Sequence, residues 1–172
     1  TLIDGLSAYL NVITHEIDAQ PVDCTAAAKE AQEMLYHQIV DTKATITIHD
    51  LPTIQGDRKQ ITQLFYQLLD NALKFRSANP PEINVSAHRE HQEWIFKITD
   101  NGIGINPGDF GRLFVPFKRL DTQSDQSSAG IGLAVSKKIV ENHGGRIWIE
   151  SRPGNGTTVS FIVPHIDTRT KP

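Results

Sequence analysis

Ile83, Val85 and Ala87 alternate with polar residues, and Trp94, Phe96 and Ile98 do the same. The polar stretch Arg89-Glu90-His91-Gln92-Glu93 separates them. Period-two alternation on both sides of a polar break predicts an antiparallel hairpin with one buried face. The second arm runs straight into Asp100-Asn101-Gly102-Ile103-Gly104-Ile105. A buried strand that ends in a carboxylate and a loop with two glycines has two readings. Asp-Asn-Gly is an ordinary turn sequence. The same residues also suit a small ligand: Asp100 can accept from an exocyclic amine, and Gly102 and Gly104 allow close backbone approach. Ile98, Ile103 and Ile105 can wall a flat ring.

Composition narrows the context. The chain has 172 residues, 38% of them hydrophobic, enough for one domain with room for a short appendage. A net charge of −3 argues against non-specific contact with nucleic acid or an anionic membrane surface. One cysteine, Cys24, excludes an internal disulfide and fits a reducing, cytoplasmic setting. No apolar run reaches membrane-spanning length, so direct membrane contact is not expected. The start at Thr1 rather than Met suggests a piece of a longer protein.

Leu2, Leu6, Tyr9 and Ile13, extended by Leu10 and Ile17, form a narrow apolar stripe on an opening helix. That stripe suits either a partner helix or the chain's own core. Gln20-Pro21-Val22-Asp23 breaks the helix, and Asp23 is placed to cap the next one, which carries Ala27, Ala28, Ala31, Met34, Leu35 and Ile39. Thr45–Ile48 alternates as a strand, and Ile54 belongs to a short extended piece. A long helix follows from Asp57 to about Arg76, with Ile61, Leu64, Phe65, Leu68, Leu69 and Ala72 on its apolar face. On its polar side Gln67, Asn71 and Lys74 line up. They fit a hydrated cation and phosphate, or simply a solvated face.

After the Asp100 loop, Pro107 to Leu113 is expected to form a short helix, followed by Phe114-Val115-Pro116-Phe117-Lys118-Arg119. Leu120 to Ala129 is polar and aperiodic, as in a mobile lid. Gly130-Ile131-Gly132 opens a third long helix, whose free N–H groups make a ready anion site. His143-Gly144-Gly145 stops it, and two closing strands flank the turn Pro153-Gly154-Asn155-Gly156. The tail past Pro164 is expected to fray.

In this order and spacing the chain closely resembles the ATP-binding catalytic domain of sensor histidine kinases, within the gyrase, chaperone, histidine kinase and mismatch-repair ATPase superfamily. Gln67 to Phe75 resembles the family's N box, and Asp100 to Gly104 its G1 box. Leu113 to Phe117 resembles the F box, and Gly130 to Leu133 the G2 box. Val140 to Trp148 and Lys74-Phe75-Arg76 are similar to phytochrome-like kinases. The resemblance covers nearly the whole chain, with the four boxes in register.

The resemblance implies a two-layer α/β sandwich, with helices on one face of a mixed, mainly antiparallel sheet. It implies ATP and Mg²⁺ as ligands, with the Asn71 side-chain oxygen on the metal and Lys74 on the phosphates. Asp100 would read the adenine amine, with Gly102, Gly104 and Ile105 shaping the pocket. Phe117 would anchor the lid, Arg119 would reach the γ-phosphate, and Gly130, Ile131 and Gly132 would wrap the triphosphate. Residues 1–20 would be the end of the second dimerisation helix plus linker, 21–166 the catalytic domain and 167–172 a tail. The implied partners are the histidine-bearing dimerisation helices of the same protein, in a homodimer, and a response regulator receiver domain.

Two positions depart from the family pattern. Gln67 stands where an Asn is usual, and Ser128 where the G2 box usually has Gly. Gln67 also occupies the place of a glutamate base in the superfamily's water-using ATPases, and an amide cannot take up a proton at neutral pH. Transfer of the γ-phosphoryl group to a histidine on an upstream helix is therefore the leading reading, with steady hydrolysis disfavoured. The alternative is a nucleotide-binding or partner-docking module that has lost phosphotransfer. His15-Glu16-Ile17 superficially resembles the acceptor motif, but Asp18-Ala19-Gln20-Pro21 follows it, so His15 is not expected to be the acceptor.

Overall fold

The computed structural model describes residues 2–116 and 131–164. Phe117, Arg119, Ser128, Gly130, the lid expected over 120–129 and the tail at 167–172 lie outside the described residues.

Five strands form the main sheet in the order β2 (Thr45–Ile48), β4 (Glu82–Glu90), β5 (Glu93–Asp100), β7 (Thr157–Pro164), β6 (Arg146–Ser151). Among the described strands only the β2–β4 pair in this sheet is parallel. The hairpin β4–β5 is longer than the alternation of apolar residues alone indicates. Arg89 pairs with Trp94 and Glu90 with Glu93, leaving a two-residue turn at His91 and Gln92. Polar residues at a hairpin tip can extend a ladder without extending its buried face. A separate two-stranded ribbon joins β1 (Gln20–Asp23) to β3 (Thr53–Gly56). The expected helix break at 20–23 is thus a strand, which places Val22 beside Ile54, both buried.

The helices pack on the face of the main sheet that carries Phe96, Ile98, Val159 and Phe161. At the centre Phe96 and Phe161 stack at 4.7 Å, and Phe65 of α4 (Arg58–Lys74) meets both edge-on. Each such side chain contributes about 1.5–3 kcal/mol on burial, so this trio fixes α4 against the sheet. Asp57 caps α4, its Oδ1 accepting from Gln60 N at 3.1 Å. The helix expected over Ala27 to Ile39 is two: α2 (Cys24–Met34) and α3 (Tyr36–Thr42). Fully buried Leu35 leaves helical geometry between them, with φ −101° and ψ 14°. Asp23 caps α2 as expected, accepting from Ala26 N at 3.1 Å. Burial pushes the Cys24 thiol up to about 12, so it stays protonated inside the core.

The opening helix α1 (Leu2–Thr14) packs on the chain's own core with one face and leaves the other exposed. Tyr9 and Val12 face the chain's own core, while Ile3, Leu6, Leu10 and Ile13 are 40–75% exposed. Its inner face lies on α6 (Gly132–Asn142), where Asn142 Nδ2 donates to Val12 O at 3.0 Å. His143, just past α6, donates from Nδ1 to Ile139 O and accepts from Asp57 N at Nε2, at 2.7 and 3.0 Å. That bond joins the end of α6 to the start of α4. The site-forming ends of both helices therefore lie at the opposite edge of the domain.

Candidate functional site

Asp100 closes β5 opposite Ile83 on one side and Thr157 on the other. Its Oδ1 accepts from Gly102 N at 2.8 Å and from Thr157 N at 3.2 Å. Burial raises its pKa above the ordinary carboxylate value, and the two N–H groups pull it back down. The loop that follows is stapled on two sides. Ile103 N donates to the carbonyl of Phe75, which ends α4, at 3.0 Å. Gly154 N donates to Ile103 O at 2.7 Å, and Gly156 N to Gly102 O at 3.1 Å. Ile105 N donates to Ser151 Oγ at 2.8 Å.

The two loop glycines are required by these contacts. A Cβ on Gly102 would run into the Phe75 carbonyl oxygen, and one on Gly104 into that of Arg152. Gly104 also has a φ of +73°, which L side chains adopt at a cost. Asn101 takes a different job: it accepts from Glu82 N at 2.9 Å and donates to Pro80 O at 3.1 Å, tying the loop to the start of β4. Ile98 and Ile105 are buried beside the loop, and Ile103 is partly exposed.

The second half of α4 touches both neighbouring parts of the site. Phe75 holds the Asp100 loop, and one to two turns earlier Gln67 and Asn71 face the start of α6. A Cβ on Gly132 would sit 2.8 Å from Gln67 Oε1 and 3.6 Å from Asn71 Oδ1. The two amide oxygens therefore converge where α6 begins. Among the described residues no side chain caps α6, which leaves its first N–H groups suited to an anion, with Ile131 buried at the cap position. Lys74 lies on the same stripe, but its Nζ is 2.8 Å from Asp70 Oδ2 rather than free.

Asp100, Gly102, Gly104, Ile105, Asn71, Lys74, Ile131 and Gly132 thus lie on connected elements, with α4 as the bridge. Thr157, Ser151 and Gly156 were not singled out by sequence. The turn Pro153 to Gly156 advertises itself as a turn, while its bonds to the Asp100 loop depend on β6 and β7 closing the sheet. A cleft of about 410 Å³ lies beside Asp100, lined among others by Thr99, Phe110, Arg152 and Thr158, and it does not reach Asn71, Lys74 or Gly132. Among the described residues no three His, Cys, Asp or Glu side chains cluster to hold a metal. The donors near Gly132 are neutral amide oxygens, which suit a hard cation that keeps water and phosphate ligands.

Residues 56–167 match the family described as histidine kinase-, DNA gyrase B-, and HSP90-like ATPase (HATPase_c). The chain belongs to the HATPase_c family. Its similarity to cyanobacterial phytochrome A of Nostoc sp. is 44% identity over 164 residues, 95% of this chain and 21% of that protein. With the methanogenesis regulatory histidine kinase FilI of Methanothrix harundinacea it shares 42% identity over 114 residues, 66% of this chain and 13% of that one. The fold is shared with full-length ShkA in complex with AMPPNP, at a TM-score of 0.80 and 22% identity, over 95% of this chain and 35% of that chain. The chain therefore spans about a fifth of the length of the phytochrome relative it matches. Its family is thus that of the histidine kinase-, gyrase B- and HSP90-like ATPases, and the expected sandwich of helices on a mixed, mostly antiparallel sheet is the fold observed.

Proposed function

We propose that this HATPase_c chain is the catalytic part of a two-component sensor histidine kinase that transfers the γ-phosphoryl group of ATP to a histidine on an upstream helix. The observation that carries the reading is the bridging of α4. One helix holds the Asp100 loop through Phe75 and faces the uncapped start of α6 through Gln67 and Asn71. A ligand with a flat amine-bearing ring at one end and polyphosphate at the other fits that arrangement.

Asp100 accepts the exocyclic amine of adenine, with Ile103 and Ile105 against the ring. The Asn71 amide oxygen is the protein ligand for Mg²⁺, which supplies charge neutralisation on the phosphates. Lys74 donates to phosphate oxygens, and the Gly130–Gly132 turn gives them backbone N–H groups. Arg119 reaches the γ-phosphate and Phe117 anchors the lid. Transfer then needs positioning and charge stabilisation from this domain and a nucleophile from elsewhere. Gln67, an amide, has no basic atom with which to activate water, which favours transfer over hydrolysis.

Residues 1–20 are the end of the second dimerisation helix and its linker, 21–166 the catalytic domain and 167–172 a tail. The exposed stripe Ile3, Leu6, Leu10, Ile13 fits contact with further helices of a homodimer. The phosphoryl group passes on to the receiver domain of a response regulator, and the setting is the cytoplasm, where ATP is supplied. By itself the chain is inactive in autophosphorylation, for want of the acceptor.

Full-length protein incubated with γ-labelled ATP and Mg²⁺ should acquire acid-labile, base-stable label on a histidine upstream of Thr1. Tight Mg-ATP binding with no label would instead establish the phosphotransfer-deficient module, a reading favoured by Gln67 lying against Gly132. Steady phosphate release without label would place the chain with the water-using ATPases.

A further inference from the structure

Lys74, the cation assigned to the phosphates, is already engaged. Its Nζ lies 2.8 Å from Asp70 Oδ2, one turn back on α4. This is no ordinary surface pair. Asp70 is only 8% exposed overall, and its side chain 12%, against 34% for the lysine side chain. Exposed pairs at this spacing contribute little. A carboxylate withdrawn from water, by contrast, is strongly disfavoured without a counter-charge. Among the described residues Lys74 is the ion-pair partner of Asp70. Its charge is felt nearby: the Tyr66 phenol, one turn before Asp70, has its pKa raised first by burial and then by Asp70.

We propose that Asp70 is a positioning residue for phosphoryl transfer: it holds the Lys74 ammonium at the phosphate end of α4 and offsets its charge until a polyphosphate arrives to share it. An ammonium has three donors, so Lys74 can keep Asp70 and still donate to a phosphate oxygen. The incoming triphosphate therefore meets a nearly neutral pair rather than a bare cation. The pair keeps a flexible lysine in place, and it holds affinity for the polyphosphate below what an unpaired lysine would give. Both effects scale with the charge of the phosphate chain, so they act on ATP more than on ADP, and not on the nucleoside. The inference rests on the phosphate role proposed for Lys74.

The test is calorimetric titration of this chain and of full-length protein with Mg-ATP, Mg-ADP and adenosine. Thermal melts and circular dichroism establish which variants are folded. Asp70→Asn keeps the shape and removes the charge. It should bind ATP about fivefold tighter and ADP less so, with adenosine unchanged. In a Lys74→Met background the same change should have no effect beyond about twofold, because Asp70 acts through Lys74. Asp70→Glu, which keeps the charge, should leave the ATP-to-ADP ratio within about twofold of wild type. If Asp70→Asn shifts the melting temperature and leaves that ratio unchanged, the pair is only a helix staple and the proposal falls. Persistence of the gain in the Lys74→Met background would show simple repulsion between Asp70 and phosphate, which also overturns it. If Lys74→Met alone leaves ATP affinity untouched, the phosphate role of Lys74 is what fails. Should Asp70→Asn not fold, Asp70→Ser, which also removes the charge, takes its place: a rise in the ATP-to-ADP affinity ratio beyond about threefold supports the proposal, and none refutes it.

Discussion

At the Asp100 end of the site, the loop is held by the protein itself. Six bonds, donated by the N–H groups of Gly102, Thr157, Ile103, Gly154, Gly156 and Ile105, fix the carboxylate and the backbone around it. At the other end, the side chains of Gln67 and Asn71 make no hydrogen bond with another described residue, and among the described residues the Lys74 ammonium is tied to its own helix. One end is set before any ligand arrives. The other leaves its polar groups for the ligand to organise. A rigid base with a fixed donor pattern is recognised well by a preorganised acceptor, because little ordering remains to be done on binding. A metal-bound polyphosphate, whose oxygens, waters and charge rearrange during transfer, is better served by side chains that can adapt.

The largest expected effect comes from breaking the rigid end. Asp100→Asn keeps an oxygen for Gly102 N and Thr157 N, so the fold should be little changed. It turns an N–H₂ toward the adenine amine, donor against donor, and should weaken ATP binding by about 1–3 kcal/mol, roughly five- to 150-fold. Unchanged affinity in a folded variant would remove Asp100 from adenine recognition. The same residue predicts opposite responses to pH. Its folded pKa is raised by burial, so its contribution to stability is full in acid and lost as pH rises through that value. Nucleotide, which needs the carboxylate as acceptor, should bind less well as pH falls through the same range. In Asp100→Asn both dependences should flatten, as melts and titrations across the acidic range would show.

The legibility of the two ends differs for a related reason. Residue types that a turn and a close approach require are visible in sequence. Gly102 and Gly104 stand where backbone carbonyls of Phe75 and Arg152 leave no space for a Cβ. The hairpin, α4 and the closing strands follow from periodicity, and Asp23 and Asp57 cap the helices they precede. Contacts made by distant segments were not visible. Thr157 reaches Asp100 only because β5 and β7 pair in that register, and Ser151 reaches Ile105 only because β6 closes the sheet. The break at Leu35 was hidden because a buried leucine fits a helix pattern equally well whether or not the backbone continues through it. The engagement of Lys74 was hidden by its alignment with Asn71, which drew attention from Asp70, the residue one turn behind.

A smaller effect is expected at the adaptable end. Asn71→Ala removes one neutral oxygen from a metal that would also hold water and phosphate, which can fill the gap in part. The expected loss is about 1 kcal/mol, roughly fivefold, and it should be confined to binding measured with Mg²⁺. Asn71→Asp keeps an oxygen and should retain most of the affinity. If Asn71→Ala loses the same factor with and without Mg²⁺, the amide contacts the nucleotide directly. Equal affinity to wild type under both conditions would leave Gln67 and Asn71 as a solvated helix face.

The smallest expected effect is at His15, where none on phosphotransfer is predicted. His15 is exposed, one residue past the end of α1, and its Nδ1 donates to Asn11 O at 3.0 Å. Three residues later, Asp18 N donates to Asp57 Oδ2 at 3.1 Å, which pins the chain to the start of α4. The phosphate end of the site lies at the far end of that helix. At 1.5 Å per residue, Asn71 is about 21 Å along the axis from Asp57. The three residue steps from His15 to Asp18 span at most about 11 Å, too little to carry the imidazole to the γ-phosphate of its own domain. A ring hydrogen-bonded to a carbonyl of the last helical turn has a sufficient local role in helping to satisfy that backbone acceptor. His15→Gln should therefore change the melting temperature little and leave labelling of full-length protein unchanged. This chain alone, incubated with γ-labelled ATP and Mg²⁺, should remain unlabelled. Acid-labile label on it that disappears in His15→Gln would make His15 an acceptor reached from a second copy, and would move the dimerisation boundary into α1.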